Sequence, residues 1–271
     1  MKIIDAHFHF CDWEKFNEIA VAAGHINSEK HLRQAYADNG IVHGIVMGNK
    51  TLSLSDHIYP NFMSYCIGLD STIFNTKDIA YQVALVEEHL KRKTCVGIKL
   101  YPGYNHFYVY EDFLHPFYEL ARKYSKPVAV HTGLTATSDA LLKYSHPLTL
   151  DEAAVKYPDV QFVMCHMGNP FLQDAVTVLE KNSNVAADLS GLLEGKIHDF
   201  SAFFQKKHGY LQMLDNWLAY LDCYDRIMFG TDWPLANLGD YIIFTKNIIP
   251  KEYWDNVFFK NANTIYKLGC K

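Results

Sequence analysis

Two histidines one residue apart, His7 and His9, close an apolar N-terminal run, Lys2-Ile3-Ile4-Asp5-Ala6. Side chains alternate between the faces of a strand, so both imidazoles share one face. Two neutral imidazoles facing the same way are half of a metal site; a short strand carrying two core or surface histidines is the plainer alternative. The rest of the chain bears on that choice, because Lys99, His131, His166 and Asp232 also sit at the ends of apolar runs. As structural residues all six would need buried partners, and one metal ion would supply many of them together.

Those runs belong to a repeated strand-then-helix rhythm. Eight strands are expected, over Lys2 to Phe10, Ile41 to Met47, Met63 to Leu69, Cys95 to Leu100, Pro127 to His131, Gln161 to His166, Asn184 to Leu189 and Arg226 to Gly230. Stretches such as Ile45-Val46-Met47 and Val128-Ala129-Val130 are apolar throughout, which suits parallel strands covered on both faces. Helical patterns lie between them, over Ser28 to Asn39, Lys77 to Lys93, Glu111 to Tyr124, Thr149 to Tyr157, Pro170 to Asn182 and Tyr210 to Asp222. In the second of these Ile79, Val83, Val86 and Leu90 recur at helical spacing. Thr149 before Asp151-Glu152 reads as an N-cap. Two further helices, Tyr241 to Ile249 and Lys251 to Leu268, follow the last strand.

No linker or low-complexity tract interrupts the series, so residues 1–271 are read as a single domain. The economical architecture is an α/β fold, a (β/α)8 TIM barrel, whose active site lies at the C-terminal ends of the strands. An open doubly wound sheet is the alternative, but no G-x-G-x-x-G follows the first strand. The length, 271 residues, and a hydrophobic content of 49% allow the core such a barrel needs. A net charge of -5 disfavours nucleic acid and anionic membrane surfaces as partners, leaving a small-molecule substrate. With no long apolar run and no leader-like N-terminus, no membrane association is expected and the cytoplasm is the expected compartment. The six cysteines are scattered without a Cys-x-x-Cys pair, as expected of reduced, mostly buried thiols.

Five motifs, in order, carry a resemblance. They are Ile4-Asp5-Ala6-His7-Phe8-His9, Gly97-Ile98-Lys99-Leu100-Tyr101-Pro102, Val130-His131-Thr132-Gly133, Cys165-His166-Met167-Gly168 and Gly230-Thr231-Asp232-Trp233-Pro234. With the terminal Asn261-Ala262-Asn263-Thr264-Ile265-Tyr266-Lys267-Leu268, the whole chain resembles the amidohydrolase superfamily of metal-dependent barrels. Within it, the pattern is most similar to the amidohydrolase-related (type 2) group, which includes lactonases and nonoxidative decarboxylases. The resemblance implies that His7, His9, His131 and Asp232 are ligands of a divalent metal, with zinc the default for imidazole and carboxylate donors. It implies that Asp232 is also the general base and that His166 either ligates a second metal or hydrogen-bonds the substrate. Lys99 lines the pocket of a one-metal site or, carboxylated, bridges two metals as in dihydroorotase-like relatives.

Departures from the pattern narrow the substrate. Cys11 and Asp12 stand where dihydroorotase-like enzymes carry an arginine, and none of Arg33, Arg92, Arg122 and Arg226 is placed to fork a substrate carboxylate. That lowers the decarboxylase and polycarboxylate readings, although Lys99, Lys143 or Lys196 could replace an arginine. Trp13, Tyr101, Tyr104 and Trp233 are expected as pocket walls. The remaining histidines, among them His25, His57 and His89, are expected on loops or helix surfaces. The expected activity is hydrolysis of a small cyclic ester or amide by metal-activated water, with nonoxidative decarboxylation the alternative. Oligomeric state is open, a homo-oligomer being one alternative.

Overall fold

The computed structural model describes residues 1–10, 14, 16–70 and 78–271. Eight strands, β1 (Ile3–Phe8), β2 (Ile41–Met47), β3 (Met63–Leu69), β4 (Cys95–Leu100), β5 (Val128–Val130), β6 (Phe162–Met164), β7 (Val185–Asp188) and β8 (Ile227–Met228), form one sheet in sequence order. Every neighbouring pair is parallel. The seam between the last strand and the first closes just beyond β8, where Ala6 N donates to Phe229 O (2.9 Å), Asp232 N to His7 O (2.8 Å) and His9 N to Trp233 O (2.9 Å). The fold is thus the expected TIM barrel.

Helices α1 (Phe16–Ala22), α2 (Glu29–Asn39), α3 (Ile79–Leu90), α4 (His115–Tyr124), α5 (Leu142–Ser145), α6 (Leu148–Lys156), α7 (Leu172–Lys181), α8 (Phe200–Lys206), α9 (His208–Leu221), α10 (Leu238–Ile248) and α11 (Asn261–Ile265) accompany the strands. Local chemistry sets several ends. Ser28 caps α2 by accepting from His31 N, and Gly40 ends it in the left-handed region at φ 71°, a conformation natural to glycine. Asp199 and Asn237 cap α8 and α10 in the same way.

The apolar residues divide into two layers. Ile4, Ala6, Ile45, Met47, Cys66, Val96, Ala129, Val163, Cys165, Ala186 and Met228 form one cluster, joined by Ala262 and Tyr266 at the C-terminus. A larger cluster contains the helix faces and the other face of the strands, including Ile3, Phe8, Ile98, Val128 and Phe162. Strict alternation from Ile4 and Ala6 would put Phe8 in the first layer, yet it packs in the second. A register shift between Asp5 and Phe8 supplies the extra residue that inverts the phase. The inversion puts His7 and His9, rather than Phe8, in phase with the barrel interior. A second shift, between Tyr65 and Cys66 opposite β4, does the same for Lys99, leaving Ile98 in the outer layer.

The structure corrects several sequence expectations. Strands β5 to β8 are shorter than expected, and after β6 and β8 the chain turns sharply out of the ladder at the polar residues. His166 (φ 61°), Met167 (φ 48°) and Asp232 (φ 55°) all occupy the left-handed region that non-glycine residues rarely adopt. Thr149 is not an N-cap: α6 begins at Leu148, and the Thr149 hydroxyl instead donates to His146 O (2.8 Å). The segment expected as one helix over Lys251 to Leu268 is broken into a 3-10 turn, a π-helical stretch (Asn256–Lys260) and α11. Short helices α1, α5 and α8 have too few residues to show helical periodicity. Lys77, the expected start of α3, lies outside the described residues.

His25, His57 and His89 are buried rather than on loops or helix surfaces. His57 Nε2 lies 2.7 Å from Thr51 O and its Nδ1 3.1 Å from the Tyr59 hydroxyl. His89 Nε2 lies 3.1 Å from Leu52 O and its Nδ1 2.8 Å from the Tyr65 hydroxyl. Each imidazole therefore donates to a carbonyl of the β2–β3 connection and accepts from a tyrosine; His57 does so within that connection, and His89 ties it to β3 through Tyr65. Burial pushes the His57 imidazole down and holds that of His89 at about 4. Among the described residues, no helix is long and apolar enough to cross a membrane.

Candidate metal centre

The inverted phase of β1 brings His7 and His9 against Asp232, which reaches them from the turn after β8. His7 Nε2 is 3.6 Å and His9 Nε2 3.3 Å from Asp232 Oδ1, and the three residues can each offer a ligand atom within 4.8 Å of the others. His7 and Asp232 are buried, and His9 is nearly so. His131 lies outside this tight trio. It joins it through His166, whose ring centroid is 4.9 Å from that of His131 and 4.7 Å from that of His7.

The hydrogen bonds reveal what these atoms lack. Among the described residues, His7 Nε2, His9 Nδ1, His131 Nε2 and Asp232 Oδ1 are buried polar atoms with no hydrogen-bond partner. Four such atoms, one on each of the four residues expected to be ligands, are costly unless something beyond those residues completes them. Imidazole nitrogens and a carboxylate oxygen are the donors that zinc, manganese or iron accept. The group a cation would complete is therefore present in this chain.

Protonation fits the same reading. Burial lowers the pKa of His7, although Asp188 opposes it, and burial together with His166 and Lys99 holds His131 well below the usual imidazole value. His166 is pushed down by burial to about 4. Burial alone would raise Asp232, but the contact with His9 and the charge of His166 and His7 hold it well below the usual carboxylate range. Asp188 behaves alike, burial being outweighed by His7, His166 and Ser190. At neutral pH the imidazoles of His7, His131 and His166 are thus neutral beside two buried, ionised carboxylates, the protonation state metal ligation requires.

Asp188 and Ser190 are the residues the sequence reading passed over. Asp188 Oδ2 lies 2.9 Å from His7 Nδ1, while Oδ1 accepts from His166 N (3.0 Å), Ser190 N (3.2 Å) and the Ser190 hydroxyl. The available signal was an aspartate ending the apolar run Val185-Ala186-Ala187, the same kind of signal that singled out His131 and His166. Asp5 is likewise fully buried. It stitches the seam by accepting from the Thr231 hydroxyl (2.6 Å), Thr231 N (2.9 Å) and the Tyr36 hydroxyl (3.0 Å).

The other expected residues divide. Lys99 is fully buried, with Nζ 2.9 Å from Cys165 Sγ and 5.1 Å from the Tyr101 ring centroid. Tyr104 lies against His131 with ring centroids 4.9 Å apart, and the Tyr101 hydroxyl donates to Gly48 O (2.8 Å) at the end of β2. Trp233 does not wall the mouth: the turn at Asp232 sends it outward, where it is fully buried in the outer layer near His25. Trp13, Cys11 and Asp12 lie outside the described residues. All four arginines are engaged elsewhere: Arg33 with Glu29, Arg122 with Glu119, Arg92 with the carbonyls of Leu54 and His57, and Arg226 with those of Leu179, Asn182 and Val185.

Comparison with known proteins agrees with this geometry. A family model described as Amidohydrolase matches residues 69–268, which include His131, His166 and Asp232 but not β1. No curated protein matches the chain. Among solved structures, an uncharacterised TIM-barrel protein from Bordetella bronchiseptica is similar at 18% identity, with 99% of each chain covered and a TM-score of 0.73. A protein assigned as a 2-pyrone-4,6-dicarboxylic acid hydrolase from Pseudomonas putida is similar at 13% identity, covering 100% of this chain and 99% of its own, with a TM-score of 0.66. A dihydroxybenzoic acid decarboxylase from a Polaromonas species, with bound manganese and 2-nitroresorcinol, is similar at 14% identity, covering 100% and 98%, with a TM-score of 0.66. At these identities the likeness carries the fold and not the reaction.

Proposed function

We propose that this chain, which belongs to the amidohydrolase family of metal-dependent enzymes, hydrolyses a small, uncharged cyclic ester or amide. The observation that carries the reading is the convergence of His7, His9 and the Asp232 carboxylate, whose Oδ1 has no hydrogen-bond partner among the described residues, in one cluster. His7, His9, His131 and Asp232 would hold one divalent cation. Zinc suits these donors, and manganese, held by a similar barrel, is the alternative. Bound there, the cation supplies Lewis acidity, polarising a carbonyl and easing the deprotonation of water.

The chain's own groups do the rest. Asp232, ionised and with Oδ1 free of hydrogen bonds, accepts the proton of the attacking water and returns it to the leaving oxygen or nitrogen. Tyr104, packed on His131, presents an aromatic wall to the substrate. Lys99 turns its amine to Cys165, which supports a one-metal site over a carboxylated lysine bridging two. Full engagement of the four arginines on carbonyls and neighbouring carboxylates favours a substrate without a carboxylate to fork.

The buried Lys99 amine favours a second reading, nonoxidative decarboxylation, because it is the one group deep in the described site that could pair with a substrate carboxylate. Incubating the zinc- and manganese-loaded protein with a panel of lactones, lactams and hydroxybenzoates separates the two. Hydrolysis with uptake of one water supports the first reading; release of carbon dioxide without water uptake overturns it in favour of the second.

A further inference from the structure

We infer that Asp188, acting through Ser190 and His166, fixes the tautomers of both His7 and His131 and so aims their Nε2 lone pairs into the metal site. The inference rests on the metal-dependent reading above and extends it to Asp188 and Ser190, and to His166 in a role other than ligand. It follows from counting protons along a continuous chain of hydrogen bonds.

An ionised carboxylate only accepts. Four donors face Asp188: His7 Nδ1 at 2.9 Å, His166 N at 3.0 Å, Ser190 N at 3.2 Å and the Ser190 hydroxyl. The single hydroxyl proton of Ser190 is thereby committed, so toward His166 Nδ1, 2.9 Å away, its oxygen can only accept. A neutral imidazole has one donor and one acceptor nitrogen. With its proton on Nδ1, His166 offers a lone pair at Nε2, and the His131 Nδ1 located 3.1 Å away must donate to it. His131 is left with its lone pair on Nε2, which has no partner among the described residues. At the other end of the path, His7 donates from Nδ1 to Asp188 and its lone pair also falls on Nε2, again unpartnered.

The opposite polarity fails at one point. Were His166 protonated on Nε2, Ser190 would have to donate to its Nδ1, and the hydroxyl oxygen would face the Asp188 carboxylate in short contact with no proton between them. It would also place a proton on His131 Nε2, where a ligand lone pair is needed. His166 is therefore a positioning residue for His131 in this state, with both ring nitrogens engaged within the chain. Asp188 is the anchor from which the polarity of the whole path is read.

The test uses the full-length protein labelled with [15N]-histidine. Long-range 1H–15N spectra of the metal-free protein at pH 8 report the tautomer of each ring, and His7, His131 and His166 are assigned by the signals lost in single histidine-to-glutamine variants. All three are expected as Nδ1–H tautomers. Ser190→Ala, which leaves His166 Nδ1 only its longer contact with the Ser190 carbonyl oxygen (3.3 Å), is expected to leave His7 unchanged, to weaken the Nδ1–H preference of His166 and His131, and to weaken zinc binding about 10- to 100-fold in a competition titration. An Nε2–H tautomer at His131 or His166 in the unaltered protein overturns the inference. So does a Ser190→Ala variant with unchanged tautomers or unchanged zinc affinity. If the unaltered protein bound no divalent ion, the functional reading would fall, while the spectra would still decide the proton path.

Discussion

Replacing His89 by glutamine gives a pH-dependent change in stability whose size follows from the structure. His89 is fully buried, donates from Nε2 to Leu52 O and accepts at Nδ1 from the Tyr65 hydroxyl. A glutamine amide can make both bonds, one from its NH2 and one to its oxygen, but it does not titrate. In the folded chain burial lowers the His89 pKa from 6.5 to about 4. The unfolded chain therefore takes up the proton first as pH falls, and stability is lost between 6.5 and about 4, then levels off. From these two values the loss by pH 5 is about 2 kcal/mol, and at pH 7.5 it is close to zero. Urea denaturation of both proteins at pH 7.5 and pH 5, with chelator present, isolates the effect, because the other titrating groups are common to both. The expected outcome is stability within about 1 kcal/mol of each other at pH 7.5 and a gain of about 2 kcal/mol for His89→Gln at pH 5. Identical pH dependence in the two proteins would refute the assignment of His89 as a neutral buried clamp on the β2–β3 connection.

Other measurements bear on the centre and the barrel. Asp232→Asn keeps the shape of the base but not its charge, and kcat/KM for whichever substrate is turned over should fall about 10²- to 10⁴-fold in a folded protein; retained activity would remove Asp232 from the proton transfer. Chelation should abolish turnover, and zinc or manganese restored at 100 times its Kd should stabilise the fold by about 2.7 kcal/mol, read as a higher urea midpoint. Gly68→Ala places a Cβ 1.6 Å from the Gly48 carbonyl oxygen, a backbone atom that cannot swing aside. Thermal melting should show a loss of about 4 kcal/mol or more, and a mild effect would contradict the close approach of β2 and β3.

Much of the architecture is written in local patterns. Strands β2, β3 and β4 have the boundaries their apolar runs predict, because a parallel strand covered on both faces must be apolar end to end. His7, His9, His131, His166 and Asp232 stood out for the converse reason: a polar residue closing such a run is expensive unless it has work to do. The short helices α1, α5 and α8 left no such pattern, and neither did the break in the last helix, since a few residues carry no period. His89 misled because its burial depends on a carbonyl and a hydroxyl supplied by distant segments.

The sequence by itself determined the barrel and the residue types at its mouth, through periodicity and through the cost of burying polar groups. The tertiary structure decided which of them meet. One inserted residue in β1 turns His7 and His9 inward, and left-handed backbone at His166 and Asp232 aims side chains that ideal strands would carry elsewhere. Only across the barrel does Asp188, 181 residues from His7, become its partner. Hydrogen-bond direction is a property of atoms in contact, so the proton path from Asp188 to His131 exists nowhere in the chain until the barrel closes.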